Sequence, residues 1–569
     1  MRTKPVGIVY GVDEPIPLTV NILSGIQHVG LMLIYLVFPV LVAQAAGSSA
    51  EVTAAMVSVT FIALAIGTIL QVITLGPVGS GFLCQPISSV VYLGPSLIAA
   101  RGGDLSVVFG MTALAGVFQV VLGRVLPRLR SVFTPEIIGL VALLTGISVG
   151  VVGLRSALEA ATPGSAPAPV DMLLALATLG LMVALNVWSR GALRLFCVLI
   201  SMAAGYLSAW ALGLLDTREL AHMAAAPVFD APRTDHVAWS FDASLLLPFL
   251  VAAVAASLKV IGNVTTSQKA NQAHWVRADM RSISRGVLAD GAGNIVAAAV
   301  GAAALNSSTT AVGLATATGV ASRRIAYSIA VLLLVFAFVP KLGYLFNLMP
   351  RPVLSAALVF SSSFIIVNGL EMLTSRLLDS RKTLVIGLAL VFGLAVEIFP
   401  ALLMVFPAVL RPSFGNSLMF GTLVGLCLNL LFRIGLRKTE AMSVPPGPLD
   451  REALDRFLDA HGATWGARRE VIDQAKFNLA QSVETLLSSS VATGSLKVEA
   501  SFDEFNLDLL VSYDGAPLEL PETRPSVEEI IASDEGERRL AGYLLRRSAD
   551  RVTARHTGGR STIVFHFDH

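Results

Sequence analysis

Charge is scarce in this chain. Only 14% of its 569 residues are Asp, Glu, Lys or Arg, 54% are hydrophobic, and the mean hydropathy is +0.72. A water-soluble globular chain carries about 25% charged residues, so this composition excludes a wholly soluble protein and places much of the chain in lipid. Aromatic side chains are sparse at 7% and the net charge is only +2. With no basic patch interleaved with aromatics, a nucleic-acid partner is not expected. Cysteine is nearly absent: Cys84, Cys197 and Cys427 lie far apart inside apolar segments. That spacing gives neither a disulfide framework nor a metal site, and the three read as small buried residues. There is no nucleophile–base set, so neither an enzyme nor a catalytic residue is expected. The first fifteen residues, M-R-T-K-P-V-G-I-V-Y-G-V-D-E-P, are polar and lead into an apolar stretch too long for a signal-peptide core. A cleaved leader is therefore not expected.

What is abundant is long apolar sequence. A crossing needs ~20 mainly apolar residues, and that ruler marks about fourteen candidate spans. They fall at 17–45, 52–74, 80–100, 104–125, 132–153, 170–188, 192–214, 243–267, 284–303, 305–321, 323–346, 350–370, 382–400 and 412–436. Lys and Arg concentrate on one alternate set of connections (Arg124, Lys269, Arg281, Arg285, Arg323, Arg324, Arg381, Lys382, Lys438) and thin out on the other (Arg101, Arg155, Arg233, Lys341). The positive-inside rule then puts both termini in the cytoplasm and makes the span number even.

Two spans are interrupted. Pro77–Ser89 reads P-V-G-S-G-F-L-C-Q-P-I-S-S and Leu305–Thr318 reads L-N-S-S-T-T-A-V-G-L-A-T-A-T. Irregular backbone survives at bilayer depth only where protein buries it or a cavity borders it. A matching pair of broken spans, third in each half of seven, points to a carrier with its substrate site between them. The fifth span of each half also opens alike, as F-T-P-E-I-I-G-L-V-A (Phe133 to Ala142) and L-M-P-R-P-V-L-S-A-A (Leu348 to Ala357). Seven is odd, so two such halves insert with opposite orientation, an inverted repeat. The expected fold is thus an α-helical membrane protein of about fourteen spans in a seven-plus-seven inverted repeat.

After residue 438 the character changes. Residues 439–450 include S-V-P-P-G-P-L and read as a linker, and 451–569 read as a cytoplasmic α/β sandwich of ordinary domain size. Its helices are expected at Leu454–His461, Arg468–Ser489 and Glu535–Arg547. Strands are expected at Leu496–Phe502, Asn506–Tyr513, Val552–Ala554 and Ser561–Phe567.

Four motifs of residues 1–438 together resemble the nucleobase–ascorbate transporter family, the uracil/xanthine permease group. They are Gln27-His28, G-S-G-F at Gly79–Phe82, V-I-G-N-V-T-T-S-Q at Val260–Gln268, and A-V-G-L-A-T-A-T-G-V-A-S-R at Ala311–Arg323. The resemblance implies a core domain that carries substrate, a gate domain that mediates homodimer contacts, and short antiparallel strands in spans three and ten. It also implies half-helices whose positive ends face the ligand. The chain departs from the family at its anchors. Where the family has a substrate-binding glutamate ahead of the eighth-span glycine, this chain has Lys259. Where the tenth-span motif opens with Glu or Gln and then Asn, it has Thr310 and Ala311. The tail resembles the histidine-kinase-like ATPase fold in its anti-sigma-factor branch, through Glu484, V-S-Y-D-G (Val511 to Gly515) and the closing T-G-G-R-S-T-I-V-F-H-F. In that family a Glu or Gln, three residues and an Asn hold Mg²⁺. Here Glu484 is followed at that spacing by Ser488, so the domain reads as degenerate, without a cofactor, and as a regulatory or assembly module, with nucleotide sensing as the alternative.

Lys259 stands about sixteen residues into an apolar run. A charge at that depth costs ~3 kcal/mol or more and is expected to face a cavity. The alternative is a side chain that snorkels to the cytoplasmic end. A lysine donates and cannot accept, so it suits carbonyl oxygens or an anion such as urate or deprotonated xanthine. Thr309 and Thr310 offer hydroxyls and backbone N–H groups at the strand-to-helix break. Phe82 and Tyr35 offer rings, Tyr35 as a stacking partner or as simple filler. Asn263, Ala311 and His28 complete the expected substrate-binding set. Asp290, the deepest of the carboxylates near span ends, is the expected proton-coupling group. The expected function is a secondary carrier of a nucleobase-like, anionic solute (xanthine, urate or uracil class) in the inner membrane. The alternative is a transport-dead receptor that signals through its tail.

Overall fold

A computed structural model describes residues 5 and 7–568, apart from 75, 102–104, 127–133, 159–167, 191, 216, 274, 276–277, 375–377, 379, 408–410, 415–416, 433–437, 448–449, 466, 468, 489–491, 504–505 and 527–533. The chain forms two compact units, Met1–Asn429 and Leu430–His569.

The first unit is helical. Its elements are α1 (Leu18–Ile34), α2 (Val37–Ala45), α3 (Ala50–Val72), β1 (Pro86–Ser88), α4 (Leu93–Arg101), α5 (Leu105–Val125), α6 (Pro135–Leu158), α7 (Pro169–Trp188), α8 (Ala192–Leu195), α9 (Cys197–Ala211), α10 (Thr217–Ala225), α11 (Leu246–Asn271), α12 (Met280–Val300), β2 (Leu305–Ser307), α13 (Thr309–Thr318), α14 (Ile325–Ala337), α15 (Pro340–Asn347), α16 (Arg351–Leu373), α17 (Ser380–Ile398) and α18 (Ser417–Phe432). Among the described residues, seven helical stretches are long and apolar enough to cross a membrane, or eight if α14 and α15, bent by 82° at the break before Pro340, count as one. Other expected spans are assembled from shorter pieces. The stretch 192–214 is divided at Phe196 into α8 and α9, and only the end of 80–100 is helical.

The interruptions have local causes. Beyond α3 the chain turns through Gly79 and Gly81, both with positive φ, conformations that cost a side chain dearly. A Cβ on Gly79 would lie 2.0 Å from the Ile73 carbonyl oxygen. The chain then runs extended as β1. In the second half Gly301 (φ 77°) ends α12, β2 follows, and Ser308 starts α13 by accepting the Ala311 N–H at 3.2 Å. The order helix, short strand, short helix therefore occurs twice, as α3–β1–α4 and α12–β2–α13. The two strands pair antiparallel, with Ile87 opposite Asn306. Small residues let the long helices approach closely. Gly116 of α5 meets Gly291 of α12, where a Cβ on either would come within 2.8 Å of the other's carbonyl oxygen. Along α6, Gly139, Gly146 and Gly153 recur every seven residues, all against α16.

The second unit is a five-stranded antiparallel sheet covered on one face by helices. Its elements are β3 (Lys438–Val444), α19 (Arg451–Trp465), α20 (Arg469–Ser488), β4 (Ala492–Phe502), β5 (Asn506–Gly515), α21 (Asp534–Ser548), β6 (Arg551–Thr557) and β7 (Arg560–Asp568), in sheet order β3-β4-β5-β7-β6. Alternation decides the faces. Leu507, Leu509, Val511 and Tyr513 of β5 join Ile563, Phe565 and Phe567 of β7 beneath Leu458, Leu479, Val483 and Leu545 of the helices. One expectation is corrected here. Residues 438–444 are an edge strand, paired from Lys438↔Phe502 to Val444↔Leu496, and not part of a linker. Pro445, Pro446 and Gly447 do break the chain after it, while 448–449 of the expected linker lie outside the described residues.

Candidate functional site

The strand pair gathers the polar residues of the membrane unit. Asp290 lies in the middle of α12 and not near its end, and it is only 4% exposed. Its carboxylate accepts three hydrogen bonds at 3.0 Å, from the Ser307 N–H, Asn306 Nδ2 and Gln119 Nε2. Gln119 of α5 in turn accepts from Asn294 Nδ2 at 2.8 Å and from the Tyr92 hydroxyl at 3.2 Å. Asn294 Oδ1 takes the Leu305 N–H at 2.7 Å, and Asn306 Nδ2 also reaches the Ala256 carbonyl at 3.1 Å. Buried polar groups must be paired, so this network fixes β2 against α5, α11 and α12.

Lys259 is the fourteenth of the 26 residues of α11 and is 4% exposed. It is buried in mid-helix and does not reach a solvated end. No ion pair within 4.0 Å joins it to Asp290. Among the described residues no hydrogen bond or ion pair closes on its ammonium. One turn further along α11, Asn263 Nδ2 donates to Ser307 Oγ at 2.9 Å. Residues four apart share a helix face, so Lys259 and Asn263 face the same way, toward β2.

From α1 two expected residues arrive. The Tyr35 hydroxyl stands 3.1 Å from Thr310 Oγ1, joining the C-terminal end of α1 to the first turn of α13. His28 is buried and accepts through Nδ1 from Gln85 Nε2 at 2.5 Å, beside β1. Thr309 and Thr310 are half-buried at the start of α13. Phe82 is buried in the irregular segment before β1. Ala311 offers no polar group, because its N–H is spent on the Ser308 cap and its side chain is a methyl. The structure thus joins Tyr35 to Thr310 and sets Lys259 and Asn263 on the helix face beside Ser307 and Asp290. Two other carboxylates of the membrane unit are paired: Glu136, buried, with Lys382 at 3.2 Å, and Glu397 with Arg155 at 2.7 Å.

Sequence reasoning missed Gln119, Asn294, Asn306 and Gln85. Each is an amide buried in an apolar span, a signal that could have marked them. Gln85 Oε1, Ser88 Oγ, Ser89 Oγ and Asn306 Oδ1 are buried without a hydrogen-bond partner among the described residues. Unsatisfied polar atoms at a backbone break are what a polar solute or water would satisfy. Among the described residues no group of three His, Cys, Asp or Glu side chains could hold a metal.

In the second unit, Glu484 is exposed and the side chain of Ser488 lies outside the described residues. The spacing of a Glu or Gln, three residues and an Asn is met earlier on α20, by Gln474 and Asn478, which the sequence reading passed over. Asn478 is 1% exposed and its Nδ2 donates to the Gln474 carbonyl at 2.8 Å.

Long apolar helices interrupted twice at a paired strand, with buried charge and amides gathered there, define an integral membrane transport protein. The chain belongs to a permease family, whose model matches residues 20–402. It is a multi-pass permease and not an enzyme. Relatives include the xanthine permease XanP of Escherichia coli (strain K12), 29% identical, covering 76% of this chain and 96% of that protein. The uric acid permease PucJ of Bacillus subtilis (strain 168) is 24% identical over 73% of this chain and 92% of its own. Among solved structures, the murine Solute Carrier 26 family member A9 anion transporter in the inward-facing state covers 77% of this chain and 72% of its own. It does so at 14% identity with a TM-score of 0.48, too loose a likeness to carry an inference.

Proposed function

We propose that the protein is a secondary carrier of a nucleobase-like solute in its anionic form, of the xanthine or urate class. One observation carries this reading: the Lys259 ammonium is buried at the centre of α11, unpaired among the described residues, on the helix face that Asn263 presents to β2. A buried cation without a partner is costly, and a planar anion bearing carbonyl oxygens would offset that cost. Thr309 and Thr310 would add hydroxyl donors at the N-terminus of α13, whose dipole favours negative charge. Tyr35, held by Thr310, would border the ring, with Phe82 and His28 further along the site. Asp290 already accepts from three donors, so its main task in this reading is to fix β2, with proton coupling as a second one. That relatives are named as xanthine and uric acid permeases supports the solute class.

The same reading places the protein in the inner (plasma) membrane with both termini cytoplasmic, as the Lys and Arg distribution favours. It takes the architecture as a seven-plus-seven inverted repeat of core and gate domains in a homodimer. Support for the repeat is the doubled helix–strand–helix order and the pairing of β1 with β2. The tail, outside the family match at 20–402, is taken as a cytoplasmic regulatory module of the histidine-kinase-like ATPase fold. Gln474 and Asn478 meet the helix signature of that fold better than Glu484 and Ser488 do. A second reading, a receptor that binds solute without moving it, draws on this separate compact unit. Uptake of radiolabelled xanthine and urate into proteoliposomes decides between them. Saturable uptake is expected, and binding with no flux would leave the receptor.

A further inference from the structure

The segment Gly7–Glu14 lies ahead of every membrane helix. It runs parallel to residues 319–323, which follow α13 directly, and meets them in an isolated β-bridge between Tyr10 and Val320. Gly319 O accepts from both Val9 N (2.8 Å) and Tyr10 N (3.0 Å). Tyr10 O accepts from Ala321 N (2.9 Å), and Val12 O from Arg323 N (3.1 Å). Ser322 Oγ donates to Glu14 O at 2.8 Å, and Arg323 forms an ion pair with Asp13. Ile8 and Val12 are buried. Gly319 (φ 70°) admits this strap, because a Cβ there would come within 2.8 Å of the Gly7 carbonyl oxygen and 3.1 Å of Val9 N.

α13 has ten residues. A helix that short is not stable by itself and takes its direction from what holds its ends. Its N-terminal end is held by β2 and the Ser308 cap, and its C-terminal end by this strap. After the strap the chain enters α1, which carries His28 and ends at Tyr35, the partner of Thr310. The strap therefore closes a ring: α1, Tyr35–Thr310, α13, Gly319–Arg323, and back to α1. We infer that residues 7–14 are a positioning element for the solute site, fixing the axis of α13 so that Thr309 and Thr310 meet the solute with α1. The inference rests on the proposed site but has a readout independent of any solute.

That readout is hydrogen–deuterium exchange of the α13 amides in the full-length protein in detergent, compared with a variant lacking residues 1–13, with Gly319→Val, and with Arg323→Ala and Arg323→Lys. Faster exchange confined to Thr309–Thr318, with α6 and α16 unchanged, is expected for the deletion, Gly319→Val and Arg323→Ala. Arg323→Lys, which keeps the charge, should restore much of the protection. Xanthine binding to the same samples should weaken a fewfold to about tenfold, the loss of one or two hydrogen bonds. Unchanged α13 exchange in both the deletion and Gly319→Val overturns the inference. Faster exchange with unaltered xanthine affinity overturns the positioning role and leaves a mere tether. If the parent protein binds no xanthine, the solute reading fails, and the exchange data alone decide whether the strap holds α13.

Discussion

Lys259 and Asp290 are two opposite charges in one apolar interior, 31 positions apart in the chain. They are not interchangeable. Asp290 is hydrogen-bonded three times, whereas the Lys259 ammonium is unpaired among the described residues. Lys259→Met removes the cation and keeps the volume. It should weaken xanthine and urate binding by about 1.5–3 kcal/mol, roughly ten- to a hundredfold in Kd, as read by titration calorimetry. Lys259→Glu should reverse the preference toward neutral solutes rich in N–H groups. If uptake and selectivity survive both changes, Lys259 is only structural. Asp290→Asn leaves the Ser307 N–H with a weaker, uncharged acceptor and turns one acceptor oxygen that faces amide donors into a donor. A loss of about 1–3 kcal/mol is expected, seen as a lowered melting temperature and lost uptake. The double variant Lys259→Met/Asp290→Asn should recover much of the stability and none of the transport. Additive losses in that cycle would show that the two charges are not coupled.

Close helix contacts decide how the membrane unit is built. Where α5 crosses α12, each of Gly116 and Gly291 leaves no room for a side chain on the other. Gly291→Leu should cost about 1–3 kcal/mol or more by overpacking, and a thermal melt in detergent should register it. Gly387 of α17 has nothing within 4 Å of its would-be Cβ. Gly387→Ala should be neutral or slightly stabilising, since alanine is favoured over glycine in a helix by about 1 kcal/mol. Equal effects at the two sites would refute the packing argument. At this scale the sequence was partly legible. Glycine, proline and hydroxyl residues at Pro77–Ser89 and Leu305–Thr318 marked both breaks, and β1, β2, α4 and α13 form at or beside them. The 82° bend between α14 and α15 was not foreseen, although Pro340 opens α15. Hydropathy counts apolar residues without regard to direction, so a bent pair and a straight span look alike to it.

For the whole molecule, the two compact units carry separate cores. Phe565 is wholly buried between the sheet and its helices. Phe565→Ala should destabilise the second unit by about 3–5 kcal/mol. In calorimetry of the full chain, the transition of that unit should move down while that of the membrane unit stays. A single transition moving as one would show that the units fold together. The helices and strands of this unit follow the alternation and helix-period pattern of the sequence within a few residues at each end. The exception is the strand at Lys438–Val444, hidden because five of its seven residues are exposed at a sheet edge and prolines follow directly.

Composition and periodicity alone determined that this is a chain for lipid with a tail of different character, that two of its spans break, and that a lysine sits where burial is expensive. Those properties are local, carried by runs of residues and their spacing. Tertiary structure decided which distant groups meet: Tyr35 with Thr310, 275 residues apart, Gln119 with Asp290, 171 apart, and the opening strap with Gly319. Such pairings follow from how helices cross and which carbonyls and amides are left to satisfy in the interior. No window of sequence contains both members of any of them.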